Sequence, residues 1–342
     1  MPRELIAPAS ERVAFRDYER EPLASDQVRV RSRFGAAKHG TEMALYKGYG
    51  NPRGRYDSEL RIFTHDSDER EHYPAVLGNM CIGEVIEIGS AVAELRLGDR
   101  VFAHGGFRQE HVWPADRVRV LPDGVSWQAA TCLDPVDFAL GAVRDGHVRI
   151  GDAVAVFGMG AIGLMALQLA RLAGARPVIA VDPIPLRREV AREVGADLTL
   201  DPTACDAGKE IRLATARRGA DVCIEYSGHH GALQAALRGV CYLGTVVAGA
   251  FPGAYPAGLD LGAESHFNRP SIVFSRACSE PNPEYPNWDE QRLFEVSWRL
   301  LSDGRLSCDP VVQPVVAFDD LLTEYPKIAT APQENVKLGV RF

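Results

Sequence analysis

The sequence predicts an α/β fold in which a doubly wound parallel sheet is joined to a β-rich domain. Two observations support this. Between residues 136 and 276, apolar strand-like runs alternate with amphipathic helical stretches, which is the pattern of parallel strands with crossover helices. Before residue 130, short runs alternate polar and apolar residues between Gly, Pro and Asp turns, which is typical of a β-rich domain.

The same patterns place the individual elements. The β-rich region is predicted to contain the strands QVRVRSRF, GEVIEIG and RVRVLP. The parallel sheet is predicted to contain, in chain order, AVAVFG, PVIAVD, DLTL, DVCIEY, GTVVAG and SIVFS. Helices between these strands are expected at LMALQLARLAG and GALQAALRG. A last helix is expected at WDEQRLFEVSWRLLSDG, where Gly304 ends it.

Composition limits the classes of function. The chain has 342 residues, 46% of them hydrophobic, which is enough for two packed domains. Its net charge of -8 and the lack of a basic block argue against a nucleic-acid partner. Arg29, Arg31 and Arg33 alternate along one strand and are expected to form a solvated face. No apolar run approaches the roughly 18 residues of a membrane span, and the first residues lack an apolar leader, so we expect a cytoplasmic protein.

Seven cysteines are scattered singly through the sequence, and no two have CxxC spacing. This distribution predicts neither a disulfide framework nor a structural zinc lobe. We expect free thiols that pack as small hydrophobic side chains.

The segment AVAVFGMGAIGLMALQLARLAGARPVIAVDP carries the strongest chemical signal, because its GxGxxG follows a strand and opens a helix. Gly158 would make the turn, Gly160 would let the backbone approach a pyrophosphate, and Gly163 would let the helix pack closely. Asp182 ends the next strand, where its carboxylate can accept both ribose hydroxyls and repel a 2′-phosphate, which favours NAD(H). The other predicted cofactor residues are Met159, Ala161, Ile162, Pro183, Arg187, Ser227, Gly228, Ala248, Gly249, Ala250 and Ser275. For Arg187 and Arg188 a solvated helix face is the open alternative.

The chain resembles the zinc-type alcohol and polyol dehydrogenases of the medium-chain dehydrogenase/reductase superfamily. The resemblance is carried by VRVRSRFGAAKHGTE, PAVLGNMCIGEVIEIG, LGDRVFA, the glycine-rich turn, DVCIEYSG and GTVVAGA. It implies a GroES-like catalytic domain from residues 1–135 and 277–342, and a Rossmann domain from residues 136–276. It also implies a cofactor in the cleft between them, and a homodimer or homotetramer formed through edge strands near RPSIVFS.

The resemblance further implies where a catalytic zinc would be held. The matching positions are Ala37, Asn79 with Met80, and Asp134. One carboxylate and one neutral amide are too few ligands for tetrahedral zinc, so we expect a zinc-independent protein. The four cysteines of the family's structural zinc are also missing from AHGGFRQEHVWPADRV. A site rebuilt from other residues remains an alternative, although none has paired ligand spacing: His39, Glu42, His104, His111 and Asp134.

Without zinc, other groups must stabilise an alkoxide and move its proton. The segment AKHGTE supplies Lys38, His39, Thr41 and Glu42, of which Thr41 and Glu42 match the family's relay hydroxyl and the acid beside it. Asn79 can donate a hydrogen bond to a substrate oxygen, and Asp134 can accept the substrate proton. The alternatives are an exposed loop without a role, a turn-closing Asn79, and Asp134 as a turn residue before Pro135.

Residues 49–73 form a polar insertion that we expect to be a lid or an interface flap, with a solvated loop as the alternative. Its Arg53, Arg55 and Arg61 can attract an anionic or hydroxyl-rich substrate.

The sequence thus predicts an NAD(H)-dependent, zinc-independent dehydrogenase that interconverts a secondary alcohol and a ketone on a polyol, sugar or natural-product intermediate. The alternatives are a zinc-free quinone or enone reductase, which the acidic Asp182 disfavours, and a non-catalytic NAD(H)-binding protein.

Overall fold

The computed structural model describes residues 1–48, 54–64, 73–255, 258–280 and 282–342. It divides into two units. The first combines Met1–Thr131 with Gln313–Phe342, and the second is the continuous stretch Cys132–Val312. The second unit extends past residue 276, the expected end of the Rossmann domain, because a helix at 290–302 packs against the helix at 133–145. No helix among the described residues is both long and apolar enough to cross a membrane.

In its described residues, the N-terminal part of the first unit consists mainly of strands, with two α-helices. Its elements are β1 (Arg3–Ala7), β2 (Ala14–Asp17), β3 (Gln27–Ala36), α1 (His39–Lys47), β4 (Arg55–Asp57), β5 (Ile62–Thr64), β6 (Ala75–Val76), β7 (Met80–Ile88), β8 (Arg100–His104), β9 (Glu110–Pro114), β10 (Arg119–Val120) and α2 (Trp127–Thr131). The three strands predicted in this region correspond to β3, β7 and β10.

The second unit alternates helices and strands throughout. Its elements are α3 (Leu133–Asp145), β11 (Val154–Phe157), α4 (Ala161–Leu172), β12 (Val178–Val181), α5 (Pro185–Glu193), β13 (Leu198–Leu200), α6 (Ala207–Ala214), β14 (Ala220–Glu225), α7 (His230–Gly239), β15 (Val240–Ala248), α8 (Glu264–Asn268), β16 (Ser271–Phe274) and α9 (Glu290–Ser302). All the strands and helices predicted from this part of the sequence are present.

The last residues return to the first unit as β17 (Val315–Ala317), α10 (Leu321–Glu324), α11 (Lys327–Thr330) and β18 (Gly339–Arg341). The main sheet of this unit has the order β10-β8-β7-β3-β18-β17, with β9 also paired to β3. The C-terminal strand β18 therefore lies beside β3, and Gly339 is paired with Ala36. This pairing brings residues just before β18 to the end of β3, where the candidate catalytic residues begin.

The predicted solvated face of three arginines on β3 is wrong at one position. Arg31 and Arg33 are exposed, but only 5% of the Arg29 surface is accessible. Arg29 donates to the carbonyl of Glu21 at 2.6 Å and pairs with Glu87 at 3.1 Å, so two oxygens compensate the burial of its charge. The partners of Arg29 come from outside β3, so the alternation of residues along β3 does not show its burial.

The sheet of the second unit is entirely parallel, with the order β13-β12-β11-β14-β15-β16. All four residues of β11 are buried, as expected for an apolar central strand in a parallel sheet. The chain builds outward from β11 in one direction and then, from β14, in the other. The ends of β11 and β14 thus mark the topological switch point, where ligands of such sheets bind.

The predicted lid or flap lies mostly outside the described residues, including Arg53. Within residues 54–64, β4 and β5 form an antiparallel hairpin. Arg55 and Arg61 are exposed on it. The seven cysteines are all free, and four of them are buried.

Candidate active site

The glycine-rich turn of the second unit connects β11 to α4 at the topological switch point. Gly158 has a φ of 86°, and an added Cβ would lie 2.6 Å from the amide nitrogen of Ser227. A Cβ on Gly163 would lie 1.8 Å from the carbonyl oxygen of Gly158. At Gly160, by contrast, an added Cβ would have no heavy atom within 4 Å. The turn is therefore tightly packed at two glycines and open at the third, where a pyrophosphate can approach the backbone.

Asp182 follows β12 directly, and only 2% of its surface is exposed. One carboxylate oxygen accepts a hydrogen bond from the amide of Met159 at 2.7 Å. The other accepts from the amide of Ile184 at 2.8 Å. The carboxylate is thus fixed against the glycine-rich turn. Because each oxygen has a second lone pair, the group retains capacity to accept ribose hydroxyls.

The two arginines of α5 contact Asp182, and one of them also contacts Asp201. Arg187 lies 3.9 Å from the carboxylate of Asp182. Arg188 donates to the carbonyl oxygen of Asp182 at 2.7 Å and pairs with Asp201 at 3.0 Å. Their side chains are only 20% and 14% exposed, so the alternative of a solvated helix face is wrong for both.

The other predicted cofactor residues lie along the carboxyl edge of the same sheet. They follow or end β11, β12, β14, β15 and β16, or open α4: Met159, Ala161, Ile162, Pro183, Ser227, Gly228, Ala248, Gly249, Ala250 and Ser275. This is the edge at which parallel α/β sheets bind nucleotides.

Glu225, the last residue of β14, organises part of this edge. It is 1% exposed, and its carboxylate accepts from the amide and hydroxyl of Ser227 and from the amide of Gly228 at 3.0 Å. Burial raises the pKa of Glu225, and these hydrogen bonds partly oppose that rise. The carboxylate fixes the short turn on which Gly158 packs. Glu225 is not among the site residues predicted from the sequence, although a charged residue at the end of an apolar strand indicates a special role.

Five of the six predicted catalytic residues belong to the first unit. Lys38 directly precedes α1, the first four residues of α1 include three more, and the fifth lies between β6 and β7: His39, Thr41, Glu42 and Asn79. Thr41 is exposed, and Lys38 and His39 are half-buried. The sixth, Asp134, belongs to the second unit. It is not a turn residue, because it lies in the first turn of α3, where a carboxylate is favoured by the helix dipole.

Glu42 joins the two connections of the first unit. It is 3% exposed, and its carboxylate accepts from the amide of Lys38, from the amide of Gly78 at 2.8 Å and from the hydroxyl of Tyr325 at 2.7 Å. Burial raises the pKa of Glu42, while these donors and the charge of Lys337 oppose the rise. A carboxylate enclosed in this way holds the loops in place, so we interpret Glu42 as a positioning residue.

Asn79 stands directly after Gly78 and is fixed through its backbone. Its amide donates to the carbonyl of Ala36 at 3.1 Å, and its carbonyl accepts from the amide of Gly105 at 3.0 Å. Its side-chain nitrogen Nδ2 is buried and has no hydrogen-bond partner among the described residues. A turn-closing side chain, the alternative considered above, would use this donor within the protein. Nδ2 is instead a donor that a substrate oxygen can satisfy.

A buried lysine that is not among the predicted residues also lies in this region. Lys337 is 2% exposed, and its ammonium donates to the carbonyl oxygen of Ala37 at 2.7 Å. The amide of Leu338 donates to Nε2 of His39 at 2.9 Å. The sequence shows Lys337 only as a single charged residue inside the apolar run VKLGV. Its hydrogen-bond partner, Ala37, lies 300 residues away.

Both units match known protein families. Residues 26–123 match the alcohol dehydrogenase GroES-like domain, and residues 161–291 match zinc-binding dehydrogenase. The chain is 43% identical over 350 residues to D-guloside 3-dehydrogenase of Escherichia coli K12, with 99% of this chain and 100% of the relative covered. The chain belongs to the medium-chain dehydrogenase/reductase superfamily.

Solved structures share the fold of this superfamily at low sequence identity. An alcohol dehydrogenase of Escherichia coli CFT073 complexed with NADH is 20% identical, with a TM-score of 0.77 over 100% of this chain and 99% of the other. A dehydrogenase of Sinorhizobium meliloti 1021 bound to NADP is also 20% identical, with a TM-score of 0.75 and the same coverage. The predicted Rossmann sheet and GroES-like domain are confirmed.

Membership of the medium-chain dehydrogenase/reductase superfamily also confirms the predicted class of enzyme. The protein is an oxidoreductase of the alcohol dehydrogenase type, which acts on a CH–OH group. The solved structures of similar fold include one complex with NADH and one with NADP.

Proposed function

We propose that this protein is an NAD(H)-dependent dehydrogenase that oxidises a ring secondary alcohol of a sugar or glycoside to a ketone without a catalytic metal. The observation that supports the substrate class is the 43% identity to a D-guloside 3-dehydrogenase over nearly the whole chain. The C3 hydroxyl of a guloside is a secondary alcohol, so its oxidation gives a 3-keto glycoside. This class is narrower than the polyol, sugar or natural-product intermediate expected from the sequence.

The side chains of the first unit support metal independence, although one of the matching families is named for zinc. Ala37 has no donor side chain, and its carbonyl accepts from the Lys337 ammonium, a cation that would repel Zn²⁺. Met80 is 1% exposed and offers only a thioether, and Nε2 of His39 already accepts from the Leu338 amide. No group of three or more His, Cys, Asp or Glu in the described ranges is arranged to hold a metal. These residues do not fit the three-ligand site of catalytic zinc.

Asp182 and the glycine-rich turn support the choice of NAD(H). The fixed carboxylate of Asp182 would accept hydroxyls of the adenosine ribose and repel a 2′-phosphate. When bound, the cofactor supplies the hydride acceptor. The chain itself supplies hydrogen-bond donors to the substrate oxygen, among them Asn79 Nδ2, and a group that takes the hydroxyl proton. For that last role Lys38, Thr41 and Asp134 remain candidates.

The direct test is oxidation of methyl glycosides by the purified full chain. We expect NADH to form with NAD⁺ and a methyl D-guloside, with slower turnover of epimers at C3. Reduction of the product with borodeuteride would place the deuterium at C3. Dialysis against a chelator should leave the rate unchanged, and elemental analysis should find well under one zinc per chain. A stoichiometric zinc that is lost together with activity would contradict the metal-independent part of the proposal.

Assays of the same purified protein with other substrates distinguish the proposed dehydrogenase from a quinone or enone reductase and from a non-catalytic NAD(H)-binding protein. Oxidation of NAD(P)H by quinones or enones, without turnover of any alcohol, would favour the reductase. Tight NAD(H) binding without turnover of any alcohol, ketone, quinone or enone would favour a non-catalytic binding protein.

A further inference from the structure

Glu225 is held at the carboxyl edge of the parallel sheet through both its side chain and its backbone. Its carboxylate accepts from the amide of Ser227 at 2.6 Å, from the hydroxyl of Ser227 and from the amide of Gly228 at 3.0 Å. Its backbone carbonyl accepts from the amides of Gly249 at 3.0 Å and Ala250 at 3.2 Å. This one buried residue therefore joins the turn that follows β14 to the turn that follows β15, and its carboxylate is fixed in position.

Among the described residues, the charge of Glu225 has no cationic partner. The groups that donate to its carboxylate are two amides and one hydroxyl, all of them neutral. The other buried acid of this edge differs, because Arg187 lies 3.9 Å from the carboxylate of Asp182. A charge inside a protein interacts with a second charge more strongly than it would in water. Glu225 thus leaves a negative potential at this edge that a cationic ligand would offset.

The strand order puts Glu225 on the nicotinamide side of a dinucleotide bound as such sheets bind it. These sheets take one mononucleotide on each side of the switch point. Asp182 follows β12 on the side that takes adenosine, whereas β14 is the first strand on the other side. The oxidised and reduced cofactors differ in charge only at the nicotinamide ring, which is positively charged in NAD⁺ and neutral in NADH.

We propose that Glu225 shifts the relative affinity of this protein towards NAD⁺ over NADH, through the attraction between its buried carboxylate and the positively charged nicotinamide ring. This inference rests on the proposed function. Oxidation of an alcohol requires NAD⁺ to bind and NADH to leave, and the charge of Glu225 favours both steps. The role of Glu225 is electrostatic, so it transfers no proton and forms no bond in the reaction.

Calorimetric titration of the full chain with NAD⁺ and with NADH near pH 8 measures both affinities. In Glu225→Gln the side-chain oxygen can still accept from Ser227 and Gly228, whereas the charge is gone. We expect the ratio of the Kd for NAD⁺ to the Kd for NADH to rise at least about threefold in this variant. An unchanged ratio would overturn the proposal.

Asp182→Asn is the matched control, because it removes a buried negative charge on the adenosine side. The adenosine half is identical in NAD⁺ and NADH, so this substitution should change both affinities by the same factor. The ratio should then keep the parent value. If Asp182→Asn raised the ratio as much as Glu225→Gln does, any loss of negative charge would explain the effect, and the assignment to Glu225 would be wrong.

The pH dependence of the same ratio gives a second test that does not depend on how well one variant folds. Burial raises the pKa of Glu225, and its carboxylate becomes neutral as the pH falls through that pKa. The ratio of the parent should therefore rise towards the ratio of Glu225→Gln as the pH falls, and the difference between the two proteins should disappear. A difference that is constant over this range would contradict the proposal.

The groups around Glu225 do not imitate this pH dependence. The strands on either side of it end beside it in uncharged residues, Phe157 and Ala248. Burial raises the pKa of both nearby phenols, which stay neutral as the pH falls: Tyr226 and Tyr255. The two histidines where α7 begins are present in the parent and in the variant, so any charge on them affects both proteins: His229 and His230.

The titrations need no substrate, so they separate this inference from the proposed function. If the protein turns over no glycoside, the proposed function fails, and the two ratios still decide the role of Glu225. If it binds NADP(H) instead of NAD(H), the same comparison is made with NADP⁺ and NADPH, which differ by the same ring charge. If neither pair of dinucleotides binds, the inference fails together with the proposed cofactor.

Discussion

The carboxylate of Glu42 collects donors from three separate segments of the first unit, and one of them is the hydroxyl of the fully buried Tyr325. Replacing Tyr325 by Phe keeps the ring and removes only this donor. Because the bond goes to a charged group, we expect Tyr325→Phe to lower the free energy of unfolding by about 1.5–3 kcal/mol near pH 8. Denaturant titration gives this value.

The decrease in the free energy of unfolding caused by Tyr325→Phe should be larger at high pH than at low pH. Burial already raises the pKa of Glu42, and removal of the Tyr325 donor would raise it further. The destabilisation is then fully present above the pKa of Glu42 in the folded variant and shrinks as the pH falls through it. Tyr46→Phe is the matched control, because its hydroxyl donates to the carbonyl of Glu11 at 3.0 Å. An equal pH dependence in both variants would contradict this assignment.

Asp182 is expected to set the cofactor preference. NAD(H) should bind the parent at least about tenfold tighter than NADP(H), which corresponds to about 1.4 kcal/mol. Asp182→Asn keeps the shape of the side chain and removes its charge, so the preference should shrink. Calorimetric titration with both nucleotides measures it. Asp201→Asn, at the acid that pairs with Arg188, is the control and should keep the parent preference.

The role of a residue could be predicted when the residues that it contacts lie nearby in the sequence, and it was missed when they lie far away in the sequence. The positive φ of Gly158 and the close contact of Gly163 with the Gly158 carbonyl arise within a few residues, so the local motif predicts them, whereas the contact of Gly158 with Ser227 is not local and was not predicted. Glu42 was identified as a site residue, but its buried position was not, because Tyr325 lies 283 residues away. Lys337 was missed for the same reason, since its partner Ala37 is 300 residues distant.

In the turn between β11 and α4, one glycine is needed for packing of the protein and another for binding of the cofactor, and substitutions can distinguish these two roles. A methyl group at Gly163 would collide with the carbonyl of Gly158, so Gly163→Ala should lower both thermal stability and NAD(H) affinity. A methyl group at Gly160 would meet no atom of the protein within 4 Å. Gly160→Ala should therefore unfold near the parent temperature, yet bind NAD(H) at least about tenfold more weakly. Unchanged affinity in Gly160→Ala would place the pyrophosphate elsewhere.

At the level of elements, apolar runs predicted the second unit well. β11, β12 and β14 are buried almost throughout, so each appears in the sequence as an uninterrupted apolar run between turn residues. The first unit was harder at Arg29, because alternation along β3 places this residue on a solvated face, whereas contacts with Glu21 and Glu87 accompany its burial. Contacts with other segments leave no periodic signal in the strand itself.

At the scale of the whole molecule, β16 ends the six-stranded sheet and is the segment RPSIVFS from which an oligomer is expected. Phe274 is 83% exposed on this strand, and Ile272 is 39% exposed. We expect sedimentation at micromolar concentration to show a homodimer or homotetramer. Phe274→Asp should shift the distribution towards monomer, because a carboxylate cannot be buried there without a partner. A parent that sediments as a monomer would contradict the expectation.

The pairing of β18 with β3 also constrains how the chain acquires its structure during translation. Domains generally fold as they emerge from the ribosome, N-terminal parts first. Here the continuous second unit is complete at Val312, whereas the first unit still lacks β17 and β18. The end of β3 therefore keeps an unpaired edge, which can attract other strands, while the whole second unit is being made. The segment between β3 and α1 gains its hydrogen bonds with Lys337 and Leu338 only after those two residues have been added, so this segment is not yet fixed while the second unit is being made.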